Sequence, residues 1–117
     1  MRSKLTLEYD GTGFHGWAAQ PGLRTVEGAV RDALGSLFSV VEGLAVAGRT
    51  DTGVHALGNV VSADIGGGPP VERVPDALNT LLPDDVAAVT AEEAPADFHA
   101  RHSARSRSYR YRIHRRR

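Results

Sequence analysis

The residues best placed to do chemistry are an arginine and an aspartate two positions apart, in Gly48-Arg49-Thr50-Asp51-Thr52-Gly53-Val54-His55. On an extended chain, residues two apart point to the same side, which sets the Arg49 guanidinium beside the Asp51 carboxylate. A neighbouring cation favours the ionised form of a carboxylate whose reference pKa is about 3.9, leaving Asp51 ready as nucleophile or base. The same Asp-Thr-Gly also suits a plain turn, with Arg49 as a surface partner. A second cluster is Glu8-Tyr9-Asp10-Gly11-Thr12-Gly13-Phe14-His15-Gly16-Trp17. Its glycines let backbone approach a ligand and Phe14 or Trp17 can stack a base; the alternative is a strand end and wide turn whose aromatics plug the core. The third cluster, Asp97 to Arg112, interleaves Arg101, Arg105, Arg107, Arg110 and Arg112 with Tyr109 and Tyr111. It can grip phosphates and stack bases, or be a solvated edge strand with Tyr109 in the core. His15, His55, His99, His102 and His114 could each carry a proton, but their spacing lacks the tight pairing and acidic companions of a metal site, so no metal is expected.

These clusters need a scaffold, and the hydrophobic pattern supplies one. Leu5, Leu7 and Tyr9 alternate with polar residues as in a strand with one buried face. Thr25 can cap a helix whose apolar face is Val26, Ala29, Val30, Ala33, Leu34, Leu37 and Phe38. Strands are predicted at Leu44 to Ala47, Asn59 to Ile65 and Val86 to Thr90. Val71, Val74, Leu78, Leu81 and Leu82 predict a second helix, with Pro75 near its first turn. A last strand over Ser106 to Ile113 would set Tyr109, Tyr111 and Ile113 on one face and Ser108, Arg110 and Arg112 on the other. The order predicts an α+β fold: an antiparallel sheet with two helices on one face, the ferredoxin-like or RNA-recognition arrangement.

With 117 residues, 41% of them hydrophobic and 24% charged, the chain is expected to form one globular domain over residues 1–117. It has no cysteine, which removes disulfides and thiolate metal sites and fits a reducing cytoplasm. No apolar run reaches the length of a membrane span, and no signal peptide is evident. A net charge of zero hides an asymmetry: residues 1–100 carry six Lys or Arg against all 14 Asp or Glu, whereas the last 17 residues carry eight arginines and no acid. A basic stretch of this kind suits a polyanion partner, or an arginine-rich segment that pairs with the acidic body.

Taken in chain order, the three clusters resemble the TruA-type tRNA pseudouridine synthases. The resemblance rests on Glu-Tyr-Asp-Gly-Thr with Phe-His-Gly-Trp, on Ala-Gly-Arg-Thr-Asp-x-Gly-Val-His-Ala-Leu-Gly, and on Phe-His-Ala-Arg with Tyr-Arg-Tyr. It implies one half of the pseudouridine synthase fold and a cofactor-free isomerase acting on uridines 38, 39 and 40 of the tRNA anticodon stem-loop. It also implies Asp51 as the catalytic carboxylate, Arg49 as its partner and organiser of the flipped nucleotide, and Tyr109 as the aromatic against the target base. The expected RNA contacts are Arg101, Arg105, Arg107, Arg110, Arg112, His55 and Trp17. Ala18, His102 and Asn59 depart from the family pattern, which usually has Gln, Phe and Gln there. Family members consist of two similar halves and this sequence corresponds to the first. The expectation is therefore a fragment, or a half that works as a homodimer or with a missing carboxy-terminal half.

Two other readings compete. A non-catalytic RNA-binding module of the same fold would bind tRNA without isomerising uridine. A retropepsin-like aspartic protease also carries Asp-Thr-Gly, but its dyad shares one proton between two aspartates, and Arg49 beside Asp51 would oppose that sharing.

Overall fold

The alternation of Leu5, Leu7 and Tyr9 is realised as the first strand, β1 (Arg2–Tyr9), whose odd residues are buried and whose even residues reach the other face. In the computed structural model, which describes residues 1–105, helix α1 (Val26–Leu37) and strands β2 (Val40–Val46) and β3 (Ala56–Gly66) follow. Helix α2 (Val74–Asn79), strand β4 (Val86–Glu93) and helix α3 (Ala100–Arg105) complete the described chain. The sheet runs β2-β3-β1-β4, with every neighbouring pair antiparallel. This is the ferredoxin-like order of an α+β domain, with α1 and α2 as the crossovers.

Helix α1 begins where Thr25, in an extended conformation, accepts the Gly28 N–H on its side chain at 3.2 Å. Such a cap is worth about 1 kcal/mol. Glu27 and Arg31 pair across one turn at 2.8 Å. Val26, Val30, Ala33 and Leu34 form the buried stripe, and Phe38 ends the helix by turning extended. They pack on Leu5, Leu7, Val61, Ala63 and Ile65 from the two central strands, with Val74 and Leu78 of α2 closing the same core. Each large apolar side chain so buried contributes roughly 1.5 to 3 kcal/mol.

Three features differ from the pattern in the sequence. Strand β2 starts at Val40, ahead of Leu44, and is irregular between Glu42 and Ala45, so its first half lacks clean alternation. The predicted second helix is split into a 3-10 turn at Val71–Arg73 and the short α2. Asn79 ends α2 and turns its side chain to β4, where its amide pairs with both the N–H and the C=O of Ala88 at 2.7 and 3.0 Å. Finally, the second sheet face is not bare. Helix α3 packs on β2 and β3, the Ala100 N–H donates to the buried Ser62 hydroxyl at 2.9 Å, and Phe98 lies under Lys4. The predicted strand Ser106 to Ile113 lies outside the described residues. No helix among the described residues is long and apolar enough to cross a membrane.

One ion pair fastens the loop after β1 to the start of β4. The Arg24 guanidinium makes two 2.9 Å bonds to the two Asp85 oxygens, a third to Gly13 O at 3.1 Å, and lies over the Phe14 ring. The bond from Arg24 is the main reason the Asp85 carboxyl sits below its ordinary range, although burial and, more weakly, Asp10 nearby oppose this. A depressed carboxyl stabilises the fold above its unfolded pKa, near 3.9, and that stabilisation is lost as pH falls through the lower folded value. Asp85→Asn should therefore cost no more than about 1 kcal/mol at neutral pH, since both groups are partly exposed. It should also flatten the fall in stability below pH ~4; urea midpoints measured from pH 7 to 3 test both effects.

Candidate active site

The Asp51 loop leaves the sheet at the end of β2 and is caught by the loop that follows β1. Ala47 N–H still reaches Val60 O, at 2.8 Å, as a last rung of the β2–β3 ladder. Beyond it the Thr50 carbonyl accepts the Trp17 N–H at 2.9 Å, and Gly53 N–H donates to Phe14 O at 3.3 Å. The Tyr9 hydroxyl lies 2.9 Å from the Thr50 hydroxyl. Asp51 opens a tight turn closed by Val54 N–H on Asp51 O at 3.1 Å, with Gly53 at φ +79° in the position where only glycine is comfortable. The two loops touch backbone to backbone. A Cβ on Gly11 would stand 2.0 Å from the Val54 carbonyl oxygen, so that residue must be glycine.

At the tip of this turn Asp51 is exposed, and among the described residues its carboxylate takes no hydrogen bond and no ion pair. The expected Arg49–Asp51 pair is absent from this arrangement. Arg49 instead lies close enough to act on Glu27. Burial raises the Glu27 carboxyl, but the Ala19 N–H, Arg31 and, more weakly, Arg49 outweigh it and bring it below its ordinary value.

His55, on the far side of the turn, is tied to the same junction. Its Nδ1 accepts the Gly11 N–H at 2.8 Å, and Asp10 Oδ1 lies 3.1 Å from the same nitrogen. One nitrogen cannot accept from Gly11 and donate to Asp10 together. The backbone bond describes the neutral ring, with its proton on Nε2, whereas the Asp10 pair needs a protonated Nδ1. Asp10 itself is held below the usual carboxylate range mainly by hydrogen bonds from Thr12, with His55 the smallest contribution.

The structure thus gathers Asp51, Arg49 and His55 on one exposed loop. Trp17 does not join them as a stacking surface. It is 3% exposed, tilted against Tyr9 with ring centres 6.3 Å apart, and its ring belongs to the core, as does that of Phe14. Arg101 is exposed on α3, and Arg105 closes that helix. Tyr109, Arg107, Arg110 and Arg112 lie outside the described residues.

Comparison with known proteins decides the family. The profile of the tRNA pseudouridine synthases matches residues 6–103, a span that holds both interlocked loops. The chain belongs to the tRNA pseudouridine synthase family. It is 46% identical over 115 residues to tRNA pseudouridine synthase A of Bacillus pumilus, 97% of this chain and 47% of that protein. The Bacillus subtilis protein of the same name is 49% identical over 113 residues, covering 95% of this chain and 46% of the relative. That of Caldicellulosiruptor bescii is 44% identical over 110 residues, covering 94% and 45%. The chain spans about half the length of these curated relatives.

In this member of the family, sequence reasoning overlooked the residues that hold the Asp51 loop in place: Tyr9, Thr50 and Asn59. A signal was present for Asn59. It shares period-two parity with Val61, Ala63 and Ile65, so a lone amide falls on an apolar strand face where it must find partners. The seat at Gly11 can be tested directly. Gly11→Ala forces a methyl group into a backbone carbonyl that cannot swing away, and overpacking of this sort costs about 1 to 3 kcal/mol. A urea midpoint within error of wild type would show that the two loops are not locked together.

Proposed function

We propose that this chain supplies the catalytic wall of a tRNA pseudouridine synthase, with Asp51 as the reacting carboxylate. The observation that carries the reading is an exposed carboxylate, without a partner among the described residues, on a turn clamped from both sides. In the reaction the ribose C1′ to uracil N1 bond breaks and a C1′ to C5 bond forms, while C5 loses a proton and N1 gains one. No electrons are exchanged. A carboxylate can begin this by attacking uracil C6, by attacking C1′, or by removing a sugar proton, and each route needs a free oxygen lone pair such as Asp51 presents.

The target uridine must leave its stack, at a cost of a few kcal/mol. Tyr109, by resemblance, offsets part of that cost by stacking on the base, and Arg49, drawn away from Glu27, organises the flipped nucleotide. With its proton on Nε2, His55 offers an outward donor to a phosphate or a ribose hydroxyl. Arg101, Arg105, Arg107, Arg110 and Arg112 provide the charge that attracts the anticodon stem-loop, with uridines 38, 39 and 40 as targets. A second half completes the cleft, and a second copy of the chain is one way to supply it: β2 and β4 are edge strands among the described residues. A sedimentation mass of one chain in the presence of tRNA would rule out the homodimer.

Asp51→Asn, which keeps shape and removes charge, should leave the unfolding midpoint and tRNA affinity near wild type. It should abolish pseudouridine in tRNA transcripts mapped chemically after single turnover. Measurable turnover by the Asn variant would refute the assignment. Tight tRNA binding by the wild-type chain with no isomerisation would favour the binding-module reading.

A further inference from the structure

Resting on the pseudouridylation reading, we infer that Asn59 is a positioning residue that aims the Asp51 turn. Val46 pairs with Val61, and Ala47 N–H bonds to Val60 O, so the next backbone rung of this antiparallel ladder would fall at Arg49 and Gly58, with Gly48 between rungs. The Asn59 side chain holds Gly48 there, where the ladder itself makes no bond. Gly48 N–H donates to Asn59 Oδ1 at 3.3 Å, and Asn59 Nδ2 donates to Gly48 O at 2.7 Å. A side-chain amide used in this way copies a peptide group but holds the departing chain one side-chain length away from β3. That offset directs residues 48–51 toward the loop at 10–17.

The amide is fully used. The second Nδ2 hydrogen goes to the Tyr9 hydroxyl at 3.1 Å, and that hydroxyl shares a hydrogen bond with the Thr50 hydroxyl 2.9 Å away, in which either oxygen can donate. Gly48, Asn59, Tyr9 and Thr50 therefore form one hydrogen-bonded chain that ends one residue before Asp51. Asn59 touches neither the carboxylate nor any reacting atom; it acts through Gly48 and Thr50.

Asn59→Asp tests this with little change of shape. Aspartate can still accept the Gly48 N–H, but it cannot donate to Gly48 O or to the Tyr9 hydroxyl. Because a displacement of ~1 Å at a reacting group can cost on the order of 100-fold, the saturated single-turnover rate should fall by roughly that factor, while the tRNA Kd changes by less than about twofold. Hydrogen exchange at the Gly48, Trp17 and Gly53 amides should quicken, while Leu5 and Val61 in the sheet stay protected. Asn59→Gln carries the same donor and acceptor on one more methylene and should recover part of the rate. A rate per folded molecule equal to wild type, or unchanged exchange at Trp17 and Gly53, would overturn the inference. If the wild-type chain, supplied with its second half, forms no pseudouridine, the functional reading fails, and exchange at those amides still decides whether Asn59 aims the turn.

Discussion

The structure hinges on the seating of one loop's backbone against another's. Residues 10–17 bond on one side to the Asp51 loop, through Trp17 N–H on Thr50 O and Gly53 N–H on Phe14 O. On the other side they cap the start of α1, where Val26 N–H donates to Gly16 O and Glu27 N–H to Trp17 O. The absence of a Cβ on Gly11 allows this approach, and burial of Phe14 and Trp17 fixes its depth. The turn bearing Asp51 is thus referenced to the sheet core and to the first turn of α1 alike. A displacement of α1 is a displacement of the carboxylate.

Most of the fold was legible because its central elements obey simple periods. The alternation in β1 and the three-four spacing of α1 each had one buried face, and burial is what makes periodicity visible. Legibility failed at the edges. The first half of β2 carries Glu42 and Gly43 and half faces water, so little apolar pattern marks it. The second helix was read as longer than α2 because Leu81 continues the spacing, yet Leu81 is exposed in the turn that follows. The motif and the resemblance single out Asp51, and the structure sets it exposed on its loop. The Arg49 pairing expected from an extended chain does not form, and Arg49 acts instead on Glu27. The aromatics of the second cluster turned out to be core, as one of its two readings had it.

Charge is divided along the chain in a way that bears on how RNA could approach. The body holds a strong acidic excess, and several of its basic side chains are already engaged: Arg2 with Asp64, Arg24 with Asp85, Arg31 with Glu27. Little of that positive charge remains to attract phosphate. Eight of the 14 basic residues lie beyond residue 100. On the proposed reading, attraction of RNA across a Debye length of about 8 to 10 Å at physiological salt falls to that segment, with local aim left to the Asp51 loop.

An exposed carboxylate in water is a weak instrument on its own. At 4 Å a cation such as Arg49 would act on Asp51 with about 1 kcal/mol in bulk water and about 4 kcal/mol at the effective dielectric of a partly enclosed site. The clamp can fix where the oxygens stand, but it cannot supply that enclosure, because Asp51 projects from the loop rather than sitting in a cavity. On the proposed reading, enclosure would come from the docked nucleotide and from whatever faces the loop. Geometry and electrostatics are thereby assigned to different partners. On the proposed reading, the fold prepays the positional entropy of Asp51 through Gly11, Tyr9, Thr50 and Asn59, and arrival of a base would exclude water and draw Arg49 from Glu27. On this division of labour, loosening the clamp lowers the rate even at saturating tRNA, and opening the cleft lowers it by restoring water around the carboxylate.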